Sequence, residues 1–202
     1  MAGARASAVL LRDTDCDPTS VILVRADSEL RTPQDLKGRR VGTGAHDSPQ
    51  ATLLPLLHLA ELGVDTEVVA HDVLVGKHGD HVGGEREAVR ALLAGKVDAA
   101  CVIDGNHLAF SREGTLSAGS VRVIAQTDKY DHCNFTALEK SPLIARFVSL
   151  LLEMSYDDPI ARPLLDLEGL KAWRPGRVEG YAALSRAIDR FGTIAPWLAK
   201  QK

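Results

Sequence analysis

Val41-Gly-Thr-Gly-Ala-His-Asp-Ser-Pro-Gln50 decides how this chain is read. A short β-branched run leads through two glycines to Asp47 and Ser48, either of which makes a good helix N-cap. Pro49 then suits a first helical position, and Gln50 through His58 continue with helical apolar spacing. The stretch is therefore a strand running into a helix. Backbone N–H groups at such a helix start, with the positive end of the helix dipole behind them, favour a phosphate, sulfate or carboxylate. Many strand-to-helix junctions have the same chemistry and bind nothing, so the flanking sequence has to be read with it.

Upstream, Ser20-Val-Ile-Leu-Val-Arg25 is an apolar, β-branched strand, and Thr32-Pro-Gln-Asp-Leu36 opens a short helix that Lys37-Gly38 ends. Downstream come a helix over 48–62, a stop at Gly63 and a strand over 66–70. This β-α-β rhythm predicts an α/β fold with a mainly parallel sheet flanked by helices. Residues 72–84, rich in Gly and His, read as a loop before an amphipathic helix over 85–94. Val97-Asp-Ala-Ala-Cys-Val-Ile103 reads as a strand buried on both faces, followed by a short helix over 106–112 and strands over 121–126 and 135–138. From Ser141 the pattern changes to helices over about 142–154, 159–165 and 179–191. Trp173 and Trp197 fall in this part and are expected to be packing residues.

The 202 residues are 45% hydrophobic and 25% charged with a net charge of −3. This composition suits a globular chain and carries no basic stripe for nucleic acid or an anionic membrane, so any bound anion is held locally. The three cysteines, Cys16, Cys101 and Cys133, have no zinc-type spacing and one is left unpaired in any disulfide scheme. Cys101, inside an apolar run, is expected in the core. The N-terminal apolar run is short and is followed at once by Asp13, Asp15 and Asp17, which is not a convincing signal peptide. Taken as the true start, it places the protein in the cytoplasm.

The order Asp35-Leu-Lys-Gly-Arg39, Gly42-Thr-Gly-Ala-His-Asp-Ser48, Ala94-Gly-Lys-Val-Asp-Ala-Ala100 and Val121-Arg-Val-Ile124 resembles the phosphate/phosphonate-type substrate-binding proteins of ABC transporters. The resemblance covers roughly residues 15–192 and implies a type II periplasmic-binding-protein fold of two lobes, the first lacking its initial part. It divides the chain into a strand and crossing of lobe one (1–31), lobe two (32–126), and a return crossing with the helical remainder of lobe one (127–202). It further implies a small anionic ligand in an inter-lobe cleft, a periplasmic or extracytoplasmic location, and an ABC permease as partner if the protein is secreted. No nucleic acid and no cofactor are implied, and a homodimer is one way to cover the incomplete lobe.

Carried over position by position, the resemblance puts His46, Asp47, Ser48 and Gln50 at the ligand-gripping helix start. His46-Asp47 departs from the Ser/Thr-rich sequence usual there. Asp104 falls at a strand end, where open α/β sheets bind ligands; it either faces the ligand or caps the next helix. Asn106 follows it around the cleft. Tyr130, His132 and Asn134, in the expected lobe crossing, face the ligand or pack the hinge. At the helix beginning near Glu85, relatives present Ser-His where this chain has Glu85-Arg86, so the donor role has moved to His78, His81 or Arg86, or been lost.

His78 and His81 with Asp80 also form a weak metal-ligand pattern, against a solvated Gly-rich loop. The competing functional reading is a cytoplasmic enzyme on the same fold, of decarboxylase, dehydratase or cofactor-precursor type. His46, Asp104 and His132 would then be its acid/base groups. A sensor domain without a transporter is a third.

Overall fold

The structure is a computed structural model that describes residues 6–72, 81–138 and 141–192, with the side chains of residues 81 and 82 also left aside. The chain divides into two compact units. Unit two comprises residues 19–128 and 183–197; unit one comprises 1–18, 129–182 and 198–202.

Unit two is built on a five-stranded sheet. Its strands are β2 (Ser20–Arg25), β3 (Arg40–Thr43), β4 (Glu67–Ala70), β5 (Ala99–Ile103) and β6 (Val121–Gln126), in the order β4-β3-β5-β2-β6. β3 pairs parallel with β4 and β5, whereas β2 pairs antiparallel with β5 and β6, so β2 alone runs against the other four. The β-α-β rhythm foretold the parallel part. It is blind to β2, because a run of residues buried on both faces carries no mark of direction.

Val21, Leu23, Ala100 and Val102 face one layer of the core, with Val89, Leu92 and Phe110 from the helices on that side. Ile22, Val24, Val41, Ala99 and Cys101 face the other layer, with Leu36, Leu59 and Val64. That strict alternation along β2 and β5 is the pleat expressed as packing. Cys101 is in the core as expected.

The helix after β3 does not start as an ordinary α-helix. Pro49–Leu53 winds as a π-turn before α1 (Leu54–Glu61). Pro55 explains this, since it has no N–H to close a bond on the wall above it. The carbonyls of Ala51 and Gln50 are met instead by the Gly44 N–H at 3.3 Å and the Ser20 hydroxyl at 2.6 Å.

The second helix, α2 (His81–Leu93), begins four residues ahead of the expected start at Glu85. Glycines at 83 and 84 mark the first turn as loop on propensity alone. Packing overrides this, because a Cβ on Gly84 would come within 2.6 Å of the His71 carbonyl. Helix α3 (Asp104–Glu113) ends at Gly114, in the left-handed conformation.

Unit one holds an antiparallel sheet in the order β7-β1-β8, formed by β1 (Ser7–Arg12), β7 (Phe135–Ala137) and β8 (Trp173–Pro175). Leu10 of β1 is fully buried with Ala161, Leu165, Leu170 and Trp173. Phe135 meets Trp173 edge-on at 5.3 Å and Phe147 at 5.9 Å. Trp173 is thus the packing residue expected; Trp197 lies outside the described residues. Helices α4 (Pro142–Leu152) and α5 (Arg162–Leu167) complete the unit. The last helix, α6 (Ala182–Phe191), belongs from Ala183 onward to unit two, where Ala187 packs against Leu53 and Leu57. Among the described residues, no helix is long and apolar enough to cross a membrane.

Candidate ligand-binding site

Because β3 and β5 are parallel neighbours, their carboxyl ends lie side by side, and both groups of lobe-two candidates sit there. His46 and Asp47 are exposed on the loop leaving β3, while Ser48 and Gln50 beside them are buried. Ser48 is the N-cap, and its hydroxyl accepts the Ala51 N–H at 3.2 Å. Its carbonyl accepts from Thr52 and Leu53. The helix start is therefore largely closed on itself. The Thr52 hydroxyl secures the loop by donating to the Ala45 carbonyl at 2.7 Å.

One amide of this loop already holds an anion. The His46 N–H donates to the Asp72 carboxylate at 2.9 Å, with the exposed His46 ring 3.8 Å from the same oxygen. Glycine makes the loop possible: a Cβ on Gly44 would lie 2.9 Å from the Ala51 Cβ, and one on Gly84 3.3 Å from the Ala45 nitrogen.

A buried carboxylate ties the two strand ends together. Glu85, fully buried on α2, accepts from the Gln50 side-chain amide at 3.1 Å through Oε1. Its Oε2 accepts the Ile103 N–H at 2.9 Å. Gln50 is thus part of the scaffold beneath the loop. Arg86, the alternative donor, makes two bonds to Glu113, at 2.8 and 3.2 Å, and stacks over Phe110.

Asp104 is the first residue of α3, whose N-cap is Ile103. Its Oδ2 accepts from the Thr19 N–H and hydroxyl at 3.0 and 2.9 Å, and its Oδ1 from the Gly105 N–H. The carboxylate thereby fixes the entry to β2. Asn106 lies two residues further along α3, half-buried.

Tyr130, His132 and Asn134 belong to unit one. Tyr130 is buried. The Asn134 amide donates to the Tyr181 hydroxyl at 2.8 Å and its oxygen accepts from Thr136 at 2.6 Å. Next to Tyr130, buried Asp131 is gripped by Arg177 through bonds of 2.7 and 2.6 Å. His132 lies 3.3 Å from the buried carboxylate of Asp15, which also accepts from Arg12 at 2.6 Å. Burial works against the charge on His132, but its bonds to Asp15 and Cys133 prevail and raise its pKa to about 9. Burial likewise opposes the Asp15 carboxylate, and the bonds from His132 and Arg12 bring it down to about 2.

Arg12, Asp15, Arg177 and Tyr181 were not singled out from the sequence. Only the run Asp13, Asp15, Asp17 gave a sign, and nothing local to it names its partners more than 100 positions away. His78 lies outside the described residues, as does the side chain of His81.

A protein-family profile described as ABC transporter, phosphonate, periplasmic substrate-binding protein matches residues 1–184. The chain belongs to this family. No curated protein sequence matches it closely enough to indicate kinship. Among solved structures, this phosphonate-binding-family protein is similar to PhnD1 from Prochlorococcus marinus in complex with methylphosphonate. The identity is 16% and the TM-score 0.71, over 93% of this chain and 72% of that one. A Xanthomonas citri protein bound to ATP is 17% identical with a TM-score of 0.68, over 91% and 72%. The binding component of a phosphonate ABC transporter from Pseudomonas aeruginosa is 12% identical with a TM-score of 0.60, over 98% and 75%. At these identities the likeness is one of fold, and it bears out the periplasmic-binding-protein architecture expected of the family member. The family is periplasmic and serves ABC transporters.

Proposed function

We propose that this protein is the solute-binding component of an ABC transporter, working outside the cytoplasm and delivering a small phosphonate- or phosphate-like anion to a permease. The observation that carries the reading is the Asp72 carboxylate on the His46 N–H at the carboxyl end of β3. A loop N–H that donates to an internal carboxylate can donate to an external oxyanion in its place. The exposed His46 ring beside it supplies a second donor when protonated. Ser48, Gln50 and Glu85 hold the loop in shape from below. Asp47, Asp104, Asn106, Tyr130, His132 and Asn134 enter the proposal as selectivity residues, with the inter-lobe cleft implied by the family as the place of binding.

Hydrogen bonds to a charged ligand contribute about 1.5–3 kcal/mol each, so three or four of them support micromolar binding. The methylphosphonate bound by the Prochlorococcus protein is the natural first probe. Calorimetric titration with methylphosphonate, phosphate and sulfate is expected to give saturable binding of at least one of them. His46→Ala should weaken it about tenfold, and Asp72→Asn, which removes the competing carboxylate, should tighten it. Absence of binding by all three anions, or identical affinities in both variants, would refute the reading.

A further inference from the structure

Unit one contains a cluster of which the proposed anion-binding role uses only His132. Asp15 ends a single 3-10 turn after β1, while His132 and Cys133 lie in the irregular segment before β7. Two backbone bonds hold these segments together. The His132 N–H donates to the Asp15 carbonyl at 3.0 Å, and the Cys133 N–H to Asp15 Oδ1 at 3.3 Å.

The three side chains then converge on one point. His132 Nδ1 lies 3.3 Å from Asp15 Oδ1 and 3.3 Å from Cys133 Sγ, and the three ligand atoms all fall within 4.8 Å of one another. The single proton on Nδ1 that is shared between the two neighbours is released when a metal binds there in its place. A cation among the three atoms would satisfy both contacts together.

We propose that Asp15, His132 and Cys133 form a binding site for a divalent cation of the zinc class, with a fourth coordination position open. Tetrahedral zinc bonds to nitrogen, carboxylate oxygen and thiolate set neighbouring donors about 3.3–3.6 Å apart, which matches the two edges at His132. The third edge ends on Cys133, the exposed member of the cluster and the one with most room to adjust. The donor set of one nitrogen, one thiolate and one carboxylate suits zinc, or cobalt as its substitute, and is poor for magnesium or calcium.

The outer support is also in place. Arg12 forks the Asp15 carboxylate, Nε donating to Oδ2 at 2.6 Å and Nη2 to Oδ1 at 3.1 Å, which fixes its orientation beside the imidazole. Asp15 and Cys133 border a pocket of about 200 Å³ whose wall includes Asn134, Phe135 and Trp173. The fourth position opens onto it, with room for water or a small exogenous ligand. All of this lies in unit one and rests on Asp15 and Cys133, which the proposed anion site does not use; of the three ligands, only His132 is common to both readings.

The test is a Co²⁺ titration of the full chain after chelator treatment and dialysis, followed by Zn²⁺. The expected result is one equivalent of Co²⁺ bound with thiolate-to-cobalt charge-transfer absorption, which Zn²⁺ abolishes. Cys133→Ser, a change at an exposed position, should remove the absorption while far-ultraviolet circular dichroism stays unchanged. His132→Ala and Asp15→Asn should each weaken binding at least about tenfold. The proposal is overturned if no charge-transfer band forms, if the band survives in Cys133→Ser, or if metal binding disappears only when His78 and His81 are replaced.

Discussion

Glu85 shows how a residue acquires a role the sequence does not display. In the chain it is one acidic residue in an amphipathic helix. In the fold its two oxygens receive the Gln50 amide and the Ile103 N–H, so it joins the helix after β3 to the end of β5. Replacing it with Leu would take this acceptor away from both donors, at about 1–3 kcal/mol each. Urea unfolding of Glu85→Leu is expected to show a loss of about 2–5 kcal/mol, with Glu85→Gln clearly milder. Equal stability of the Leu variant and the parent would show that the link contributes nothing.

The cysteines separate at the same scale. Burial, reinforced by the nearby negative Glu85, pushes the Cys101 thiol up to about 12. Iodoacetamide at pH 8 should therefore label exposed Cys133 readily in the native protein and leave Cys101 unmodified until it unfolds. Prompt native-state labelling of Cys101, read by peptide mass spectrometry, would contradict this core placement.

At the scale of elements, β3, its helix and β5 were legible because their signals are local: β-branched runs, an N-cap followed by proline, a stopping glycine. The elements that were missed lacked such signals. β1 shows no alternation, since Leu10 and Leu11 are both fully buried, and β8 is three residues ending in a proline. The first turn of α2 was hidden by its own glycines, which packing requires. A Cβ on Gly84 would lie 2.6 Å from a backbone oxygen that cannot easily move, whereas one on Gly105, inside α3, would meet nothing within 4 Å. Gly84→Ala is expected to lower the melting temperature by several degrees. Gly105→Ala should raise stability by up to about 1 kcal/mol through helix propensity. Thermal unfolding of the two variants side by side checks this, and a harmless Gly84→Ala would mean that the helix start is not packed as described.

At the scale of the whole molecule, sequence order misleads in one respect. The apolar run 20–25 stands far from 99–103 and 121–126 in the chain, yet β2 lies between β5 and β6 and runs opposite to both. Nothing local encodes that placement; it follows from burying a strand that is apolar on both faces. The motif resemblance supplied the family and fold, while the candidate residues read as one cleft lining lie partly in unit two and partly in unit one.

The pairing order also sets an order of opening. β2 and β5 are buried along nearly their whole length and bonded on both sides, while β4 is an edge strand with Val68 about half exposed. Native-state hydrogen exchange should accordingly protect the amides of 21–24 and 100–102 most in unit two, and those of 67–70 least among its strands. In unit one the central strand β1 should outlast β7 and β8 for the same reason, each of these pairing only with β1 among the described residues. If 67–70 exchanged as slowly as 21–24, β4 would have to be paired or covered on its outer side, and the sheet order would need revision.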